Sequence, residues 1–258
     1  MITLKNILFE NVNPLSESPD QMDKYANKFK KTVDHLNNKN KTLILTTSNR
    51  WKEHTEDTPK STLLALKMAN LIGSAKCEVM DVTKLNIFPC EGNVSSSPKF
   101  GGNHCGTKDA ILKDDNKNPS GHHRCWASIN NKSDELWKVS KKLFESDCVL
   151  FMASIRWGQA NSIYQKLIER LTWIENRAHS LGESNIVKNI DAGFICVGQN
   201  WNGKNVVKLQ KEVLEFYGFN TPQELFWNWQ YTQDENDESK RSYNKSWGVF
   251  KKTFDLQK

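Results

Sequence analysis

A chain of 258 residues, 37% apolar and 26% charged, can bury the core of one large α/β domain or two small ones. Its net charge of +6 comes from Lys interleaved with Asp and Glu, without a basic block, a modest field that suits phosphate-bearing small molecules better than nucleic acid. No run of about 18 apolar residues is present and MITLKNILFENVNPL lacks the parts of a signal peptide, so neither a membrane span nor secretion is expected, and the six cysteines are expected reduced in the cytoplasm.

Residues 1–41 read as a polar N-terminal extension with one helix. Pro19 opens it, Asp20 and Asp23 lie in its first turn, and Met22, Tyr25, Phe29, Val33 and Leu36 make a narrow apolar stripe. This helix is expected outside the main sheet or against a partner subunit.

Thr42–Thr47 (TLILTT) is the first core strand. It leads through Ser48-Asn49-Arg50 to Asp57-Thr58-Pro59-Lys60-Ser61-Thr62, where Thr58 suits an N-cap and Pro59 a first helical residue. The helix runs through Leu63, Leu64, Leu66, Met68 and Leu71 to Gly73. The open N–H groups of a helix start favour an anion, and Ser48, Arg50, Lys60, Ser61 and Thr62 can add hydrogen bonds to a phosphate. The plainer alternative is a capped helix with solvated charges. Neither GxGxxG nor GxxxxGK[ST] occurs.

Cys77–Val82 is the second strand. A long insert follows at 88–132, rich in Gly, Asn, Ser, Lys and His, and so long a loop usually serves a function. It holds Cys90, Cys105 and Cys125 with His104, His122 and His123, without the tight pairs of zinc or iron–sulfur sites. Unligated thiols are the simpler reading of these cysteines; a metal site is the alternative. Ser133 or Asp134 then caps a helix through Leu136, Trp137, Val139, Leu143 and Phe144.

The stretch Cys148–Arg177 carries the most information. Cys148–Ala153 is an unbroken apolar run, as in a strand buried on both faces. Ser154–Gln159 reads as a polar turn, and one amphipathic helix from Ala160 places Ile163, Leu167, Ile168, Leu171 and Ile174 inward with Gln165, Lys166, Glu169 and Arg170 outward. Ile190–Val197 is the fourth strand, ending in the loop Gly198–Gly203. A helix through Val206–Tyr217, a fifth strand at Glu224–Tyr231, and a last helix with Tyr243, Trp247, Phe250 and Phe254 inward complete the chain. Thr232 with Glu235 suits a capping box for that helix.

Strands alternating with helices imply a parallel sheet covered on both faces. Ligands bind at the carboxyl ends of such strands, where one loop suits a phosphate and two are rich in aromatic, amide and glycine residues. A phosphorylated aromatic ligand fits that set.

SNR…KST, the SIRWGQAN loop entering a YQKLIERL helix, and VGQNWNG resemble the flavodoxin-like fold, and more closely the NAD(P)H-dependent FMN reductases and iron–sulfur flavoproteins. The resemblance spans about Thr42 to Phe254. It implies a five-stranded doubly wound sheet of order 2-1-3-4-5 at 42–258, with FMN as cofactor and NAD(P)H as co-substrate. Thr47, Ser48, Arg50, Lys60, Ser61 and Thr62 would then hold the phosphate end. Ser154, Ile155, Arg156, Trp157, Gly158 and Gln159 would line the isoalloxazine, without that loop's usual Pro. Gly198, Gln199 and Asn200 would face them. The flavin would carry the chemistry, with no catalytic acid, base or nucleophile and no resident metal, and a small molecule would accept the electrons. Trp157, Trp201 and Trp229, expected exposed, suggest a homodimer or homotetramer, with neither nucleic acid nor membrane as partner. The alternatives are a non-catalytic flavin-binding protein and an electron carrier with a metal or iron–sulfur site in the cysteine insert.

Overall fold

A computed structural model describes residues 19–49, 58–92, 105–198, 201–232 and 240–256. Five parallel strands form the sheet: β1 (Thr42–Thr46), β2 (Cys77–Asp81), β3 (Cys148–Arg156), β5 (Asp191–Gly198) and β6 (Phe226–Gln230), in the order β2-β1-β3-β5-β6. Counted along the chain this is the expected order 2-1-3-4-5. Thr42 stands opposite both Cys77 and Cys148, and Cys148 opposite Asp191, so the central strands start level. β1 and β5 are buried at every residue, which is why their sequences are continuous apolar runs rather than alternating ones.

The alternation of side chains along β6 separates the two helical layers. Trp227 and Trp229 point to one face, where Trp229 meets Tyr25 of α1 (Pro19–Asn37) and Phe250 of α8 (Lys240–Thr253). Phe226 and Asn228 point to the other, against Lys211 and Gly203 of α7 (Gly203–Phe216). The N-terminal helix, expected outside the main sheet, lies in the layer that covers this face. Thr32 accepts a 2.9 Å hydrogen bond from the Trp227 indole, and Phe29 meets Phe254 at 5.5 Å. His35 lies between the carboxylates of Asp191 and Glu224, 2.8 Å from each.

Two expectations for the Cys148–Arg177 stretch change. Ser154–Gln159 is not a simple turn: β3 continues to Arg156 and folds back through Trp157-Gly158 into a short antiparallel strand, β4 (Gln159–Ala160). The helix after it is two helices, α5 (Ser162–Arg170) and α6 (Thr172–His179), meeting at Leu171. Arg170 does not face water. Its guanidinium and the Asp134 carboxylate are both fully buried and paired, at 2.8 and 2.9 Å.

That ion pair fastens the insert. Arg170 also donates to the Phe88 carbonyl at 2.6 Å and to Ser128 Oγ at 3.0 Å. Ser128 donates to Asp134 at 2.7 Å, and His123 bridges Ser128 and Ser140 at 2.9 and 2.7 Å. Asp134 caps little of α4 (Leu136–Phe144); its carboxylate serves Arg170 first. The predicted capping partner Glu235 lies outside the described residues.

Candidate functional site

α2 (Lys60–Ile72) begins one residue later than predicted. Pro59 is its N-cap, with extended geometry (φ −53°, ψ 142°) and no side chain capping the helix. The first helical bond runs from Leu63 N to the Pro59 carbonyl, so the amides of Lys60, Ser61 and Thr62 have no partner within the helix. Beside them, Ser61 Oγ donates to Ser48 Oγ at 2.7 Å, both side chains being buried. Uncapped amides, two hydroxyls and the positive end of the helix make a cradle for an anion.

The cradle opens into a narrow cleft of about 120 Å³. Of the predicted residues, Ser48, Lys60, Ser61, Ser154, Ile155, Arg156 and Gly198 line it. The structure adds Asn49, Pro59, Val197, Tyr243 and Trp247. Arg50, Gln199 and Asn200 lie outside the described residues. Thr47 is turned into the fold, its hydroxyl shared between the Met152 carbonyl at 3.1 Å and Asn161 Oδ1 at 3.2 Å. Thr62, Trp157, Gly158 and Gln159 are not among the lining residues.

Lys60 lines the cleft, but its ammonium is engaged with the C-terminal helix. It donates to Ser246 Oγ at 2.7 Å and sits 4.8–5.4 Å from the ring centres of Trp247, Tyr243 and Trp229, a cation–π arrangement. Sequence reasoning assigned α8 no part in the site. Its aromatic stripe was legible, but not that the rings would turn toward the start of α2.

The opposite wall is the β3–β4 hairpin. Trp157 and Gly158 both have positive φ, +49° and +68°, as a two-residue hairpin turn of the primed type requires. Trp157 stands at the tip, 88% exposed. Behind it the β5–α7 connection locks the hairpin: Asn202 donates to the Gly158 carbonyl at 2.7 Å, and a Cβ on Gly158 would come within 2.9 Å of the Trp201 ring. Trp201 is partly exposed, whereas Trp229 is fully buried and cannot be the surface aromatic it was expected to be.

Asn161 joins the walls. Its Nδ2 donates to the Thr47 carbonyl at 2.8 Å, and its Oδ1 accepts from Ser154 N at 3.1 Å. An Asn just before a helix reads as an N-cap, which is the signal that was available; here the side chain spans two strand ends instead. Among the described residues no cysteine lines the cleft. Burial pushes the thiols of Cys148 and Cys196 well above their usual range, Cys77 to about 11 and Cys105 to about 12. Among the described residues no three His, Cys, Asp or Glu side chains gather as a metal site, and no helix is long and apolar enough to cross a membrane.

No protein-family model matches the chain, and no curated protein does. Among solved structures it is similar to RosB with the bound intermediate 8-demethyl-8-formylriboflavin-5'-phosphate, with a TM-score of 0.52 and 15% identity over 83% of this chain and 74% of that one. It is also similar to an azoreductase from Bacillus anthracis str. Sterne (TM-score 0.46, 10% identity, 83% and 95% covered). A third similarity is to the Trp repressor binding protein from Bacillus subtilis (TM-score 0.41, 11% identity, 84% and 100% covered). The RosB likeness together with the strand order gives this chain the flavodoxin-like fold.

Proposed function

We propose that the chain is a flavoprotein oxidoreductase that holds FMN across the carboxyl ends of β1, β3 and β5. It would take reducing equivalents from NAD(P)H and deliver them to a small-molecule acceptor such as a flavin or quinone. The observation that carries this reading is the uncapped start of α2 with the Ser48–Ser61 hydroxyl pair, opening into a cleft walled by Ser154–Arg156. The likeness to RosB supports it, because that structure contains a riboflavin-5'-phosphate derivative.

The residues fit the group. The amides of Lys60, Ser61 and Thr62 with the two hydroxyls suit a dianionic phosphate. Bound FMN would supply the electron transfer between nicotinamide and acceptor. The protein's part is positioning and electrostatics. Arg156, at the exposed end of β3, brings a positive charge that favours an anionic reduced ring. Ser154 and Ile155 present one edge of β3 to the cleft, held by Asn161, and Val197 and Gly198 close it from β5. Trp157 offers a flat, exposed apolar surface at the hairpin tip, and with Trp201 it motivates a homodimer or homotetramer.

The test is an absorption spectrum of the purified protein with a titration of FMN followed by flavin fluorescence. Flavin absorbance or saturable FMN binding, with NAD(P)H oxidation in the presence of an acceptor, is the expected result. Protein that neither carries nor binds flavin would refute the reading. Tight binding without turnover under several acceptors would convert it to a non-catalytic flavin-binding protein.

A further inference from the structure

We infer that the insert carries a second small-molecule site, separate from the cleft, for an anion with an apolar body. Between the insert and α4 lies a cavity of about 480 Å³, within the range of ligand pockets. It shares no lining residue with the cleft at the strand ends. Ile111, Leu112, Ile129 and Trp137 line it, so its body is apolar.

The cavity is fastened on two sides, which distinguishes it from a gap between loose loops. The wall that carries Ile111 and Leu112 is bridged to Arg124, and Leu112 N donates to the His123 carbonyl at 3.0 Å. Asn118 clamps the same hairpin, donating to the Leu112 and His123 carbonyls at 3.0 and 3.3 Å while accepting from His123 N at 3.0 Å. The floor holds Ser128 and Asp134, both fixed by the buried guanidinium of Arg170. A pocket whose wall and floor are hydrogen-bonded in advance loses little entropy when it is filled.

Charge selects the occupant. Lys113, Lys117 and Lys132 line the cavity against one carboxylate, Asp109, since the charge of Asp134 is taken by Arg170. Lys117 leans toward Asp114 at 3.7 Å. Among the described residues Lys113 and Lys132 have no ion-pair partner. An apolar chamber rimmed by such ammonium groups fits a carboxylate or sulfonate on a hydrocarbon or aromatic body.

The experiment titrates the full chain with anilinonaphthalenesulfonate, with and without saturating FMN. The expected result is a saturable fluorescence rise that FMN leaves unchanged, decanoate reverses and inorganic phosphate does not. Lys113→Glu with Lys132→Glu is expected to weaken the dye by about tenfold or more. Lys113→Gln with Lys132→Gln gives an intermediate loss. Melting temperature checks that both variants fold, and Ile129→Asp provides an independent block from the apolar side. Absence of saturable binding would overturn the inference, as would an affinity unchanged in the charge-reversed protein. Displacement of the dye by FMN would overturn it too, by placing the dye in the strand-end cleft. Since the dye is read directly, these outcomes stand whether or not FMN proves to be the cofactor.

Discussion

Asn161 and Thr47 exchange hydrogen bonds across the end of the sheet: the Asn161 amide donates to the Thr47 carbonyl at 2.8 Å, and its oxygen lies 3.2 Å from the Thr47 hydroxyl. The pair fixes the spacing between the loop that carries Ser48 and the hairpin that carries Arg156. Asn161→Ala leaves the Thr47 carbonyl and the Ser154 amide without their partner, at a cost of about 2 kcal/mol. The expected outcome is a lower urea midpoint together with weaker FMN binding. Unchanged binding in a destabilised variant would show that the two walls do not depend on this bridge.

Trp157 occupies a left-handed conformation that strains a residue with a β-carbon. Trp157→Asn places a turn-adapted residue there and is expected to stabilise the fold by about 1 kcal/mol, while turnover with NAD(P)H falls. Urea unfolding and steady-state kinetics on the same samples check this opposition. Loss of stability in the variant would mean that the exposed ring packs more than its 88% exposure indicates.

Arg170→Met removes one member of a buried ion pair. Asp134 is then a carboxylate with no countercharge in a dry environment, and the expected destabilisation is about 3–5 kcal/mol. Adding Asp134→Asn to that variant should recover part of it, because the stranded charge goes too. Chemical denaturation of the single and double variants reads the difference.

His123 gives the fold an acid sensitivity. Burial, then the charge of Arg170, lowers its pKa to about 3, so it stays neutral in the folded chain where an unfolded His would take up a proton below about 6.5. The unfolded state therefore binds more protons as pH falls, and stability declines by up to about 1.4 kcal/mol per pH unit between about 6.5 and 3. Asp134 works in the same direction at lower pH. Burial raises its pKa, but hydrogen bonds from Arg170 and Ser128 and the Arg170 charge outweigh this and leave it lowered, so its contribution is lost on falling through the acid carboxylate range. Denaturation midpoints of His123→Gln across pH 4–7 should show a shallower slope than the parent.

Arg156→Ala should leave stability within about 0.5 kcal/mol, because the side chain is exposed. If FMN is bound, its reduction potential should move to a more negative value. A potential that does not move would remove Arg156 from the flavin's surroundings.

The sheet was readable because a strand buried on both faces has to be apolar throughout. TLILTT, CVLFMA and DAGFICV announce themselves, and their alternation with helices sets the topology. What stayed hidden depends on partners far away in sequence. Arg170 looks like a surface residue at its helical position until Asp134, Ser128 and Phe88 close around it. Lys60 reads as a phosphate ligand from its place at the helix start, and only the fold shows that Tyr243 and Trp247 of α8 and Trp229 of β6 surround its ammonium. The Trp157-Gly158 pair did carry a local clue, since Gly favours positive φ, but Trp at such a turn argues against one and tertiary packing by Trp201 and Asn202 prevails.

The contact between Phe29 and Phe254 joins α1 to the residue that follows α8. On a ribosome, α1 would emerge early and find its apolar stripe uncovered until residues beyond 250 had cleared the exit tunnel. Completion of this layer thus waits for α8, and a nascent chain stalled before α8 would expose Tyr25, Phe29, Trp227 and Trp229 together to chaperones.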